Sequence, residues 1–122
     1  MNMNHVTLTL PVPSPMLSPN ARPHYMAKAK VTKQHRQAAK LVAMGALNRD
    51  EPRWTRASVQ LAWTFTDARK RDQDNLLARC KAYFDGLRDA GLIDDDSGLT
   101  HLPMTIEKGD EAKLVMTVRR TG

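Results

Sequence analysis

Residues 58–97 read SVQLAWTFTDARKRDQDNLLARCKAYFDGLRDAGLIDDDS, and their pattern sets the architecture of this 122-residue chain. Over residues 58–66, Val59, Leu61, Trp63 and Phe65 fall on one side of a strand, with Gln60, Ala62, Thr64 and Thr66 on the other. After Asp67 and the basic run Arg69, Lys70, Arg71 the period changes. Leu76, Cys80, Tyr83, Phe84 and Leu87 recur at helical spacing and form one apolar stripe. Asp72 or Asp74 suits the helix start as a cap. Gly91 suits its end, where a left-handed backbone is needed. A strand that feeds an amphipathic helix calls for a sheet with helices packed on it.

Working outward, His5 to Leu10 alternates Val6, Leu8 and Leu10 with threonines and predicts a first strand. Residues 11–24 are broken by prolines and predict a loop or extended arm. Residues 28–47 turn helical, with Lys30, Lys33, Arg36, Gln37 and Lys40 on a basic face. Val31, Ala38, Leu41, Val42 and Gly45 stand towards the packing side. His35 on this helix has no partner visible in the sequence. Residues 48–57 form a polar connection in which Trp54 is expected to pack. Residues 102–107 and 113–119 predict two closing strands joined by a turn at 108–111. The expected fold is α+β: a single domain over 1–122, with about four strands in a small mixed sheet and two main helices.

The chain is long enough for one modest core, so a shallow site, or one completed by a second subunit, is expected. The formal net charge is +6, and its placement is informative. Residues 1–53 hold eight basic against two acidic residues, while the remainder holds eleven of each. An amino-terminal positive excess favours a polyanionic partner. The single cysteine, Cys80, excludes an intrachain disulfide and a cysteine metal cluster. No run reaches membrane-spanning length, and residues 1–20 carry four prolines and no charged start. A cytoplasmic location is expected.

Two carboxylates at i and i+2 beside a helix start, Asp72 and Asp74, can reach one hard cation from a compact turn. Mg²⁺ takes oxygen ligands and needs only one or two protein carboxylates when phosphate and water supply the rest. Asp94, Asp95 and Asp96 offer a third acid. The same residues also suit a cap with surface charge and a solvated acidic loop. Arg69, Lys70 and Arg71 offset the acids and present phosphate-binding donors. The basic face of Lys30, Lys33, Arg36 and Lys40 suits a nucleic-acid backbone, and Arg79 is a further candidate DNA contact.

The motifs RDQDNL, K-x-x-F-D-x-L and AGLIDDDS, at residues 71–97, resemble the RusA family of Holliday junction resolvases. The short first strand running into a proline-rich segment fits as well. The resemblance implies a homodimeric, Mg²⁺-dependent endonuclease, with Mn²⁺ as a substitute, that nicks four-way DNA junctions symmetrically in the cytoplasm. For a phage-encoded member that is the bacterial host's cytoplasm. It implies Asp72, Asp74 and Asp96 as catalytic metal ligands, with Asp95 as the alternative third acid and Asn75 following the second. The family's lysine, four residues after the second acid, falls here on Ala78. A three-residue insertion would carry it to Lys81, with Arg79 as a substitute. The altered lysine keeps a second function open: a junction-binding protein with weak or lost nuclease activity.

Overall fold

One strand organises the sheet. The computed structural model describes residues 4–48 and 52–122. In chain order it contains β1 (His5–Leu10), α1 (Tyr25–Ala46), β2 (Ala57–Phe65), α2 (Gln73–Ala78), α3 (Lys81–Asp89), β3 (Leu99–His101), β4 (Thr105–Lys108) and β5 (Lys113–Arg120). Short 3₁₀ turns stand at Pro15–Leu17 and Asp96–Gly98. β5 runs antiparallel along one side of β2, with Leu61 opposite Met116, and β1 lies antiparallel beyond it, with Leu8 opposite Met116. The other side of β2 takes two parallel strands in succession. β3 pairs with its first three residues and β4 with its last four. Parallel neighbours need a crossover, and α2 with α3 supplies it. The fold is α+β, a mixed five-stranded sheet with two main helices, α1 and α3.

The core follows the predicted stripes. Val59, Leu61, Trp63 and Phe65 of β2 are buried together with Leu114, Met116 and Val118 of β5 and Val6, Leu8 and Leu10 of β1. Leu76, Cys80, Tyr83, Phe84 and Leu87 close over them. Burying each large aliphatic side chain contributes about 1.5–3 kcal/mol against chain entropy. Trp54 packs as expected, and its backbone forms a parallel bridge with Ile93. Gly91, at φ 85°, provides the left-handed residue after α3. Residues 49–51 of the polar connection lie outside the described residues.

The expected mixed sheet with two main helices is present, with a fifth strand because the three-residue β3 carries no readable alternation; three other expectations need correction. The two closing strands are not a hairpin. β2 lies between β4 and β5, and the Gly109 N–H donates to Phe65 O (2.8 Å) as the chain rounds the end of β2.

The packing side of α1 is also different. Leu41 and Val42 are 58 % and 37 % exposed, whereas Ala39 and Ala43 are fully buried. The cause is Gly86 of α3. A Cβ there would lie 2.4 Å from Arg36 O and 2.8 Å from Ala39 Cβ. Helices this close admit only small side chains at the crossing. The Arg36 guanidinium then bonds both carboxylate oxygens of Asp89 across the pair, at 2.5 and 2.9 Å.

Finally, the helix expected through residues 76–90 is broken at Arg79–Cys80. The Cys80 N–H turns back to Leu77 O (3.0 Å), and its thiol donates to Leu76 O (3.6 Å). Burial pushes that thiol up to about 12, so it stays a protonated donor.

The proline-rich arm is pinned at two points. The Tyr83 hydroxyl donates to Pro11 O (2.6 Å). His35 Nδ1 lies 2.9 Å from Val31 O, a group that can only accept, so the ring proton sits on Nδ1. Nε2 is then free to accept the Ser14 N–H at 3.0 Å. The His35 and Tyr83 rings stack with centroids 5.2 Å apart.

Gly86→Ala is expected to force the helices apart and lower the unfolding free energy by about 1–3 kcal/mol. Gly45→Ala, where nothing lies within 4 Å of the added methyl, is expected to raise it by up to about 1 kcal/mol. Urea denaturation of the two variants beside the parent checks both signs.

Candidate functional site

The candidate acids stand at two helix boundaries. Asp72 is the N-cap of α2. Its Oδ1 accepts the Asp74 N–H (2.9 Å) and the Asn75 N–H (3.4 Å). Those bonds orient the carboxylate and leave Oδ2 without a hydrogen bond among the described residues. Asp74 is exposed in the first turn, and its side chain takes no partner among the described residues. The two acids therefore offer one oriented carboxylate and one exposed carboxylate from nearby backbone.

The second group forms beyond the helix break. The Lys81 ammonium lies 3.2 Å from Asp85 Oδ1 and 2.5 Å from Asp96 Oδ2. Its pKa is raised, first by the hydrogen bond to Asp96 despite partial desolvation, then by Asp85, so Lys81 is a persistent cation. The same bond holds the Asp96 carboxyl below the usual aspartate range. Asp95 is exposed. Its oxygens accept the Asp96 N–H (2.9 Å) and the Ser97 hydroxyl (2.8 Å), while Arg88 stands 3.9 Å away. Asp85 was not singled out in the sequence. Its spacing of four residues from Lys81 on one helix was the available signal.

Among the described residues, no three His, Cys, Asp or Glu side chains come together in a group that could hold a metal ion. Asp72 and Asp74 still suit a hard cation bound by one or two carboxylates, with water and phosphate oxygens completing the shell. Asp95 and Asp96 are engaged with their own neighbours instead.

The basic run is a built loop. Asp67 Oδ1 accepts the Arg69 N–H (3.0 Å) and Arg71 Nη2 (2.8 Å). The backbone bond, then Arg71, holds the Asp67 carboxyl below its ordinary range. The Arg71 guanidinium also lies 3.6 Å over the centre of the Phe65 ring, a cation–π contact. Arg69 and Lys70 are exposed. Arg69, Arg71, Asn75 and Arg79 line an open cleft of about 620 Å³ whose other wall is the arm, from Val12 to Ala21. Arg79 also borders a second cleft, of about 300 Å³, with Lys28, Lys81 and Asp85.

The basic face of α1 is divided. Lys30 and Lys33 are exposed, Arg36 is held by Asp89, and Lys40 is half-buried on the same side. Arg36 keeps Asp89 below the usual range, and Arg88 and Lys40 add to this. No described helix is long and apolar enough to cross a membrane.

No known family model matches this chain. It is 36 % identical over 114 residues to an uncharacterized protein of Xylella fastidiosa (strain Temecula1 / ATCC 700964), covering 92 % of this chain and 74 % of that one. The chain belongs to the same family as that protein.

Pairing with Lys81 lowers the Asp96 pKa in the fold, so its stabilising contribution is present above the ordinary aspartate value of 3.8 and lost as the pH falls through the lowered one. Lys81→Met is expected to bring the Asp96 titration back up towards that value. An NMR pH titration of the Asp96 side-chain carboxyl reads the shift.

Proposed function

We propose that this chain is a divalent-metal-dependent endonuclease of four-way DNA junctions, acting in the cytoplasm as a homodimer of the RusA type. The observation that carries the reading is the Lys81–Asp96 contact. The family pattern expects a lysine at Ala78, and the turn at Arg79–Cys80 restarts the helix with Lys81 beside an acid of the 94–96 triplet. The resemblance assigns each of those two residues to the site by motif, and their proximity supports placing them in one site.

Asp72 and Asp74 would hold Mg²⁺, or Mn²⁺ in its place. Bound there, the ion supplies Lewis-acid charge and lowers the pKa of a coordinated water. The rest falls to this chain's side chains. The backbone amides of residues 74 and 75 fix the Asp72 carboxylate before any ligand arrives. Lys81 stays charged through neutral pH and serves as a cation towards a phosphate oxygen, not as a base. Asp85 and Asp96 hold that cation at the mouth of the helix break. Arg69, Lys70 and Arg71, with Lys30 and Lys33 on α1, supply backbone contacts that give affinity without sequence readout. A twofold dimer presents two equal sites to symmetry-related strands of a junction.

A second reading, junction binding without cutting, is favoured by one observation: no three acids cluster among the described residues. Incubation with a synthetic four-way junction, a linear duplex and a splayed duplex, in Mg²⁺ and in EDTA, separates the two. Paired nicks confined to the junction and absent in EDTA are expected. Asp74→Asn is expected to lose cleavage while binding the junction as tightly or more tightly, since it removes a ligand and a negative charge. Tight binding with no cutting under any divalent ion would establish the second reading, and cleavage by Asp74→Asn at the parental rate would remove Asp74 from the site.

A further inference from the structure

Arg79 stands where a cation is costly. It sits at the helix break, half-buried beneath the arm, and no carboxylate among the described residues pairs with it. Its one hydrogen bond there is a long one, from Nε to Ser14 O at 3.5 Å. Burial pushes its guanidinium below the usual range, and the nearby Arg71 adds to the effect. Three guanidinium groups, those of Arg69, Arg71 and Arg79, line the cleft. Asp67 engages only the first two. The cleft is thus positively charged and partly desolvated, and Arg79 meets no carboxylate there among the described residues.

Ser18 makes a second, independent case. Its Oγ accepts Nδ2 of Asn75 at 2.7 Å and the Asn20 N–H at 3.3 Å. A hydroxyl has two lone pairs, and both are taken. Its own O–H proton is left to donate, with no acceptor among the described residues. Ser18 lines the same cleft as the arginines. A hydroxyl donor and an uncompensated guanidinium across one open cleft describe a site for a compact oxyanion.

We propose that this cleft is a phosphate-binding subsite that seats one backbone phosphodiester of the bound DNA. Arg79 is its principal charge, Arg69 and Arg71 flank it, and the Ser18 hydroxyl donates from the arm. The choice of DNA as the source of the phosphate rests on the nuclease reading above, whereas the anion site rests on the geometry alone. Arg79 also borders the cleft that holds Lys81 and Asp85. A strand seated on Arg79 therefore lies next to the lysine proposed to act on the neighbouring phosphate. The arm, pinned by His35 and Tyr83, serves as the outer wall of the subsite.

The test is an NMR titration of the full chain, following the Arg79 Nε–H and Asn75 side-chain amide signals. Inorganic phosphate, a thymidine dinucleotide carrying one phosphodiester, and sodium chloride at matched ionic strength are added separately. Saturable shifts of both signals are expected with phosphate and with the dinucleotide, but not with chloride. Arg79→Gln should abolish the Asn75 response. A four-way junction titrated in EDTA should show a log–log salt slope smaller by about 1 for that variant. Equal shifts with chloride, or an Arg79→Gln variant with the parental Asn75 response and salt slope, would overturn the subsite.

The two failures are distinguishable. A protein that cuts junctions but ignores phosphate keeps the nuclease reading and loses the subsite. A protein that saturates with phosphate but binds no junction keeps an anion pocket and loses the assignment to DNA.

Discussion

The close crossing of α1 and α3 is the constraint on which the rest of the molecule depends. At Gly86 the two helices approach to backbone contact, with Ala39 and Ala43 on the facing side. Glycine in a helix interior costs about 1 kcal/mol relative to alanine. Here that cost is offset by an approach that no side chain permits. The crossing fixes the position of His35 on α1 relative to Tyr83 on α3, and their stacked rings hold the arm through Ser14 and Pro11. The arm in turn walls the arginine cleft. A contact made of small residues thereby sets the shape of a charged surface elsewhere.

Much of the fold was legible because its cues are local. β1 falls where alternation put it, the buried stripes of β2, β5 and α3 match their periods, and Gly91 and Asp72 do the work their positions imply. The failures share a physical cause. The packing face of α1 is set by how near another helix comes, not by hydrophobicity, so Leu41 and Val42 misled where Ala39 and Ala43 decided. β3 and β4 are defined by their partner β2 rather than by their own four or fewer residues. The break at Arg79–Cys80 shows in backbone bonds such as Cys80 N–H to Leu77 O, which an unbroken apolar stripe does not announce.

The charged groups were legible in kind but not in grouping. The sequence placed Asp72 and Asp74 together and did not show that Asp96 would meet Lys81. Nor did it show that Arg71 would be fixed by Asp67 and Phe65. The structure sorts the charges into zones: carboxylates at the start of α2, a lysine held between two acids at the start of α3, and arginines in the cleft under the arm. Arg79 stands where the last two meet, within the residues by which this helix departs from the pattern it resembles.

Cys80 has a practical consequence. Its sulfur is fully buried, protonated through neutral and mildly alkaline pH, and occupied as a donor to Leu76 O. Thiol-directed reagents attack thiolates that solvent can reach, so the parent chain is chemically silent towards maleimides while folded. A single cysteine introduced on an exposed position such as Lys30 or Thr117's solvent-facing neighbour Arg119 becomes the one reactive handle on the molecule. Spin labels or fluorophores can then be attached with the native thiol left in place, and unmasking of Cys80 itself becomes a clock for the opening of the helix break.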